Sequence, residues 1–168
     1  MIKNKQIFIT GGAGFIANTL IRRLVDNNKI VIFDNFHRDT FSGSDLKDNQ
    51  NIEVIKGDVL DYEHVKKSMK GSDIVVHAAG IAGIDTVINN PVLTGRVNVI
   101  GTANVLEAAK ENNVTDRLID FSTSEVFGSM AFKSSETDST VAGSAGEARW
   151  TYAVSKLAGV HLAHAYYK

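Results

Sequence analysis

The segment Thr10-Gly11-Gly12-Ala13-Gly14-Phe15-Ile16-Ala17 limits what this chain can fold into more than any other stretch. It follows the apolar run Ile7-Phe8-Ile9 and opens a helical pattern. A tight strand-to-helix turn needs residues that tolerate positive φ and let bare backbone approach a neighbour, which is what the glycines provide. The small residue Ala17 lets the helix pack closely on the strand. Unpaired N–H groups at the helix start, aligned with the macrodipole, favour a bound phosphate. Asp34 stands twenty positions beyond Gly14, at the end of a second apolar run, Ile30-Val31-Ile32-Phe33. A carboxylate at that offset accepts hydrogen bonds from a ribose diol and repels a 2′-phosphate. Strand, turn, helix and acid in this order predict a dinucleotide site that takes NAD rather than NADP.

Strand and helix patterns alternate along the rest of the chain. Strand-like runs end near Thr10, Asp34, Lys56, His77 and Ser122, and helical patterns cover about residues 15–28, 61–70, 91–112 and 149–167. Five strands alternating with helices predict an α/β fold, a doubly wound parallel sheet of the Rossmann type with strand order 3-2-1-4-5. One long irregular segment, residues 128–147, is rich in Ser, Thr, Gly and Ala. It comes after strand 5 at the carboxyl edge of the sheet, where open α/β folds bind ligands. It reads equally as a surface loop or as a loop facing a substrate.

Composition bounds the function. At 168 residues the chain is of single-domain size, and 43% hydrophobic residues suffice for a sizeable core. A net charge of −1 gives no general attraction to nucleic acid or anionic membrane. Without cysteine there is no disulfide framework, thiolate metal site or catalytic thiol. The first residues run into strand 1 without a long apolar segment, so neither a signal peptide nor a membrane span is expected, and the reading is cytoplasmic.

A second constellation is Tyr152-Ala153-Val154-Ser155-Lys156. The i to i+4 spacing puts phenol and ammonium on one helix face. A nearby ammonium favours phenolate and would make Tyr152 a general base. Taken alone, such a pair is usually no more than a packing residue and a solvated charge. Its company gives it weight: Ser122-Thr123-Ser124-Glu125 lies at the carboxyl end of strand 5, beside the expected nicotinamide position. A hydroxyl there can bond a substrate oxygen, and Glu125 can move a proton. Capping is the plainer role for Thr123 and Ser124. His161 and His164, three apart on the last helix, have no evident third ligand, so no metal site is expected.

The residues together resemble the extended short-chain dehydrogenase/reductase family, the NAD-dependent epimerases, dehydratases and decarboxylases of nucleotide sugars. Seven pieces carry the resemblance in family order: the glycine turn, Asp34-Asn35-Phe36, Gly57-Asp58-Val59, His77-Ala78-Ala79-Gly80, Asn98-Val99-Ile100-Gly101-Thr102, Ser122-Thr123-Ser124-Glu125-Val126-Phe127-Gly128, and Tyr152 with Lys156. The resemblance implies that Gly11, Gly14, Phe15 and Ile16 line the pyrophosphate turn. It puts Asp34 and Asn35 at the adenosine ribose and Asp58 and Val59 beside adenine. It runs Ala78, Ala79 and Gly80 under the cofactor, with Asn98 near them, and sets Lys156 and Tyr152 at the nicotinamide ribose. Thr123 and Tyr152 would contact the sugar hydroxyl being oxidised, giving a 4-keto sugar that is then epimerised, dehydrated or decarboxylated.

The departures shape the expected product. Ala17 replaces a commoner glycine, and Phe127 stands where tyrosine is usual. Sugar 4,6-dehydratases resemble the strand-5 segment but carry aspartate at the position of Ser124. With Ser124-Glu125, and Arg149-Trp150 ahead of Tyr152, the chain is more similar to UDP-glucuronate decarboxylases, although an epimerase can carry the same residues. Members of this family usually pair as homo-oligomers through helices. The last helical pattern runs to Tyr166-Tyr167-Lys168 without a stop signal, and the chain has one proline where average usage would give about eight. Both features suggest a domain, residues 1–168, whose C-terminal sugar-gripping region is absent. A non-catalytic NAD-binding module is the competing class.

Overall fold

The computed structural model describes residues 2–167. Five strands, β1 (Gln6–Thr10), β2 (Lys29–Asp34), β3 (Ile52–Lys56), β4 (Ile74–His77) and β5 (Arg117–Asp120), form one parallel sheet in the order β3-β2-β1-β4-β5. This is the predicted doubly wound topology. The register aligns Thr10 with Phe33 and with His77, so the ends of β1, β2 and β4 lie side by side. Ligand-facing loops therefore start from one line across the sheet.

The inner strands read as continuous apolar runs because helices cover both of their faces. Alternate residues serve opposite layers. Ile7, Ile9, Ile30, Ile32 and Val76 pack with Ala17 and Ile21 of helix α1 (Phe15–Leu24). Phe8, Val31, Phe33 and Val75 pack instead with Val65 of α2 (Tyr62–Ser68) and with Val105, Ala108 and Ala109 of α5 (Thr102–Glu111). Removing the Phe8 side chain, which has no exposed surface, should cost about 3–5 kcal/mol. Denaturant unfolding of Phe8→Ala measures this, and an unchanged midpoint would contradict the packing.

Several elements differ from the sequence expectation. A six-residue helix α3 (Ile84–Asn89) stands between β4 and the helix that Pro91 opens. The predicted helix at 91–112 is unbroken but not uniform. Pro91–Gly95 (α4) leads into a π-helical turn, Arg96–Gly101, before α5 begins at Thr102. The wide turn presents the buried Asn98 toward the carboxyl end of β4. Strand β5 stops at Asp120, two residues short of the predicted Ser122. Helix α6 (Trp150–Tyr167) packs against α4, the π turn and α5, and Lys168 lies outside the described residues. No helix among the described residues is long and apolar enough to cross a membrane.

Candidate functional site

The carboxyl ends of β1, β2 and β4 open onto a groove of about 440 Å³. Its floor is the glycine turn. Gly11 takes φ +69°, and its N–H donates to the Phe33 carbonyl at 2.9 Å. A Cβ on Gly11 would lie 2.6 Å from the Ala79 nitrogen, so only glycine lets this turn touch the end of β4. Helix α1 starts beyond Gly14 with no side-chain cap, leaving its first N–H groups for a ligand at the groove. Phe15 and Ile16 sit on that first turn, 77% and 59% exposed, outside the groove lining proper.

Asp34 ends β2 at the groove wall and is 9% exposed. One carboxylate oxygen accepts the Ala13 N–H at 3.0 Å and the other the Phe36 N–H at 2.7 Å. Asp34 thereby ties the glycine turn to the loop after β2, and each oxygen keeps a lone pair for a ligand hydroxyl. Asn35, Asp58, Val59, Ala78, Ala79 and Gly80 line the same groove. Sequence reasoning missed Phe33, His37, Arg38, Thr86 and Leu93, which line it too. Arg38 reaches across to the Ala82 carbonyl at 3.0 Å, joining the loop after β2 to the start of α3. The uncapped helix, the glycine cradle and the Asp34 carboxylate fit a dinucleotide.

Beyond Gly80 lies a buried polar cluster. Asn98 is not in the groove lining: its amide accepts the Ile81 N–H at 2.8 Å and donates to the Ile81 carbonyl and to Ser155 Oγ. These bonds tie the segment after β4 to the π turn and to α6. Ser155 in turn donates to the Tyr152 carbonyl at 2.7 Å. Lys156 is 5% exposed, its ammonium 3.5 Å from where a Cβ on Gly80 would stand. Burial pushes its pKa down, partly offset by the Asp120 carboxylate.

His77, at the end of β4, links the cluster to the sheet. Thr102 Oγ1 donates to the Asn98 carbonyl at 2.7 Å, so it accepts from His77 Nε2–H at 3.0 Å. Nδ1 then accepts the Thr10 hydroxyl at 2.6 Å. Burial and the Lys156 charge hold the imidazole neutral, with its pKa lowered to about 3. Unfolded histidine binds a proton near pH 6.5, so this residue's contribution is complete above that pH and shrinks as pH falls toward 3. Stability should fall by up to about 1.4 kcal/mol per pH unit below pH 6.5, above the range where carboxylates titrate. Urea unfolding between pH 5 and 7 reads this. An equally steep decline in His77→Gln would contradict it.

At the carboxyl end of β5, Thr123 caps the 3₁₀ turn Ser124–Phe127, its Oγ1 accepting the Glu125 N–H at 3.3 Å. The half-buried Tyr152 phenol is pushed up chiefly by burial, is drawn down by the Thr123 side chain, and is raised again by the Glu125 carboxylate. The expected lowering by Lys156 is not what surrounds the phenol in this structure, because the lysine is turned toward Gly80 and Asp120. Ser124 and Glu125 are exposed. The irregular segment 128–147 is tied back at two points. Val141 N–H donates to the Val126 carbonyl at 2.9 Å, and Gly143 lies flat on the Trp150 indole.

The sequence matches the profile of the NAD dependent epimerase/dehydratase family over residues 7–168. The chain belongs to that family. It is 34% identical over 153 residues to the UDP-N-acetyl-alpha-D-glucosaminuronate decarboxylase of Bacillus cytotoxicus, covering 90% of this chain and 47% of the relative. It is 31% identical over 175 residues to the dTDP-glucose 4,6-dehydratase of Streptomyces niveus, covering 97% and 49%. Its fold superposes with a TM-score of 0.88 on the UDP-N-acetylglucosamine 4-epimerase of Methanobrevibacter ruminantium M1, solved with UDP-N-acetylmuramic acid. That match has 26% identity over 99% of this chain and 51% of that one. The chain thus spans about half the length of the relatives it matches. Family membership makes NAD the cofactor.

Proposed function

We propose that the protein oxidises a nucleotide sugar to a 4-keto intermediate and that the fate of this intermediate sets the product, with decarboxylation of a UDP-hexuronate the favoured outcome. The observation that carries this reading is that α6, which bears Tyr152, packs on the turn that Thr123 opens at the carboxyl end of β5 and also sets Lys156 against Gly80 of the NAD groove. Bound NAD supplies a hydride acceptor. The chain supplies the rest: Gly11, Gly14 and the first turn of α1 take the pyrophosphate, Asp34 the adenosine ribose, and Lys156 and Tyr152 the nicotinamide ribose. Thr123 bonds the sugar hydroxyl and Tyr152 removes its proton. Glu125, exposed next to them, is placed to exchange protons with the keto sugar. Ser124 in place of an acid argues against the dehydratase outcome, and similarity to a hexuronate decarboxylase supports the choice.

Incubation with NAD and either UDP-glucuronate or UDP-N-acetylglucosaminuronate should release carbon dioxide. Inversion at C4 of a UDP-hexose without carbon dioxide release would favour the epimerase instead. No change in any of these sugars would leave the NAD-binding module as the better reading.

Asp34→Ala should weaken NAD binding by about 1–3 kcal/mol, since it frees the Ala13 and Phe36 N–H groups as well as removing the ribose acceptor. It should also narrow the preference for NAD over NADP. Calorimetric titration with both cofactors measures the two effects, and unchanged NAD affinity would remove Asp34 from the site.

A further inference from the structure

Asp120 is a carboxylate in the wrong company. It ends β5 after Leu118 and Ile119, in a strand where aspartate is disfavoured. Both of its oxygens are buried and accept no hydrogen bond. A buried, unpaired charge is costly and calls for a cause. Its surroundings supply one. Across the sheet Asp120 lies level with His77, and above it lies α6. A Cβ on Gly159 would stand 3.0 Å from Asp120 Oδ2, so the glycine makes room for the carboxylate against the helix. Gly159 is three positions beyond Lys156, on the same helix face.

We propose that Asp120 is the buried counter-charge that holds Lys156 as an ammonium ion, a positioning residue for the Tyr152–Lys156 pair. This rests on the reading of that pair as the proton-handling site. Lys156 sits in a pocket that favours its neutral form, walled by Gly80, Asn98 and the uncharged His77. Glu125, on the turn after β5, is exposed and acts on Tyr152. Among the charged groups facing α6 here, Asp120 is the one that offsets the burial of Lys156, and the two charges interact in both directions. No hydrogen bond joins them, so Asp120 acts through its field while leaving the ammonium donors free for a ligand. A lysine that lost its proton would no longer bring a positive charge to a ribose contact beside Gly80.

The test is NMR titration of the full chain with ¹³Cε-labelled lysine, the Lys156 signal being assigned by its loss in Lys156→Met. In Asp120→Asn the midpoint of that signal should move to lower pH, and Asp120→Leu, which suits an apolar strand, should shift it the same way. An unchanged midpoint, or movement to higher pH in either folded variant, overturns the proposal. The readout needs no turnover, so it stands or falls separately from the proposed activity, which Tyr152→Phe tests.

Discussion

Tyr152→Phe lowers nucleotide-sugar turnover by about 10²–10⁴-fold, the usual contribution of a positioned general base, and costs NAD binding no more than one ribose hydrogen bond, about 0.5–1.5 kcal/mol. The hydroxyl is the only group removed, and the ring keeps its place on α6. The large effect arises from the surroundings of the phenol. Burial and the Glu125 carboxylate both raise its pKa, while the Thr123 side chain opposes them. A base held up in this way works only when a positive charge is brought to it, and Lys156, four residues on, is the cation on that helix face. The acid limb of the pH–rate profile should therefore sit high. Near-normal turnover in Tyr152→Phe would show that another group takes the proton.

Gly11→Val has the second large effect, on the fold and on the cofactor together. The valine Cβ would stand 2.6, 2.7 and 2.8 Å from backbone atoms of Ala79 and Ala78, none of which can rotate away. Its φ of +69° is also one that a β-branched residue rarely adopts. Strain and displaced backbone should cost on the order of 3 kcal/mol in stability. Because the same backbone forms the groove floor, NAD affinity should fall by about 100-fold or more if a similar energy is lost there. Denaturant unfolding and NAD titration of the variant measure both. A wild-type midpoint with intact NAD binding would mean that the turn does not need its contact with β4.

The frame of this molecule is written locally. Strands β1, β2 and β4 are covered on both faces, so each appears in the sequence as an unbroken apolar run, and the glycine turn and Asp34 mark its ligand edge. The order of the sheet comes from right-handed crossovers acting on that pattern. The features that were not legible depend on contacts between distant residues. The π turn adds width to a helix whose apolar spacing hardly changes, so nothing in 91–112 announces it. Helix α3 is six residues long, too short for a period to emerge. Arg38 is held at the groove by the Ala82 carbonyl, a residue distant in sequence and just ahead of α3, and the motif around Asn98 does not show where its amide spends its hydrogen bonds. Asp120 is one polar residue in a strand until Gly159 and Lys156 are placed beside it.

The most direct test of the account is to load the protein with NAD, add UDP-glucuronate, UDP-N-acetylglucosaminuronate or a UDP-hexose, and monitor reduced-nicotinamide fluorescence within one turnover. Reduction by at least one of these sugars, lost in Tyr152→Phe, is the predicted result. Tight NAD binding with no reduction by any of them, or reduction undiminished in Tyr152→Phe, would contradict it.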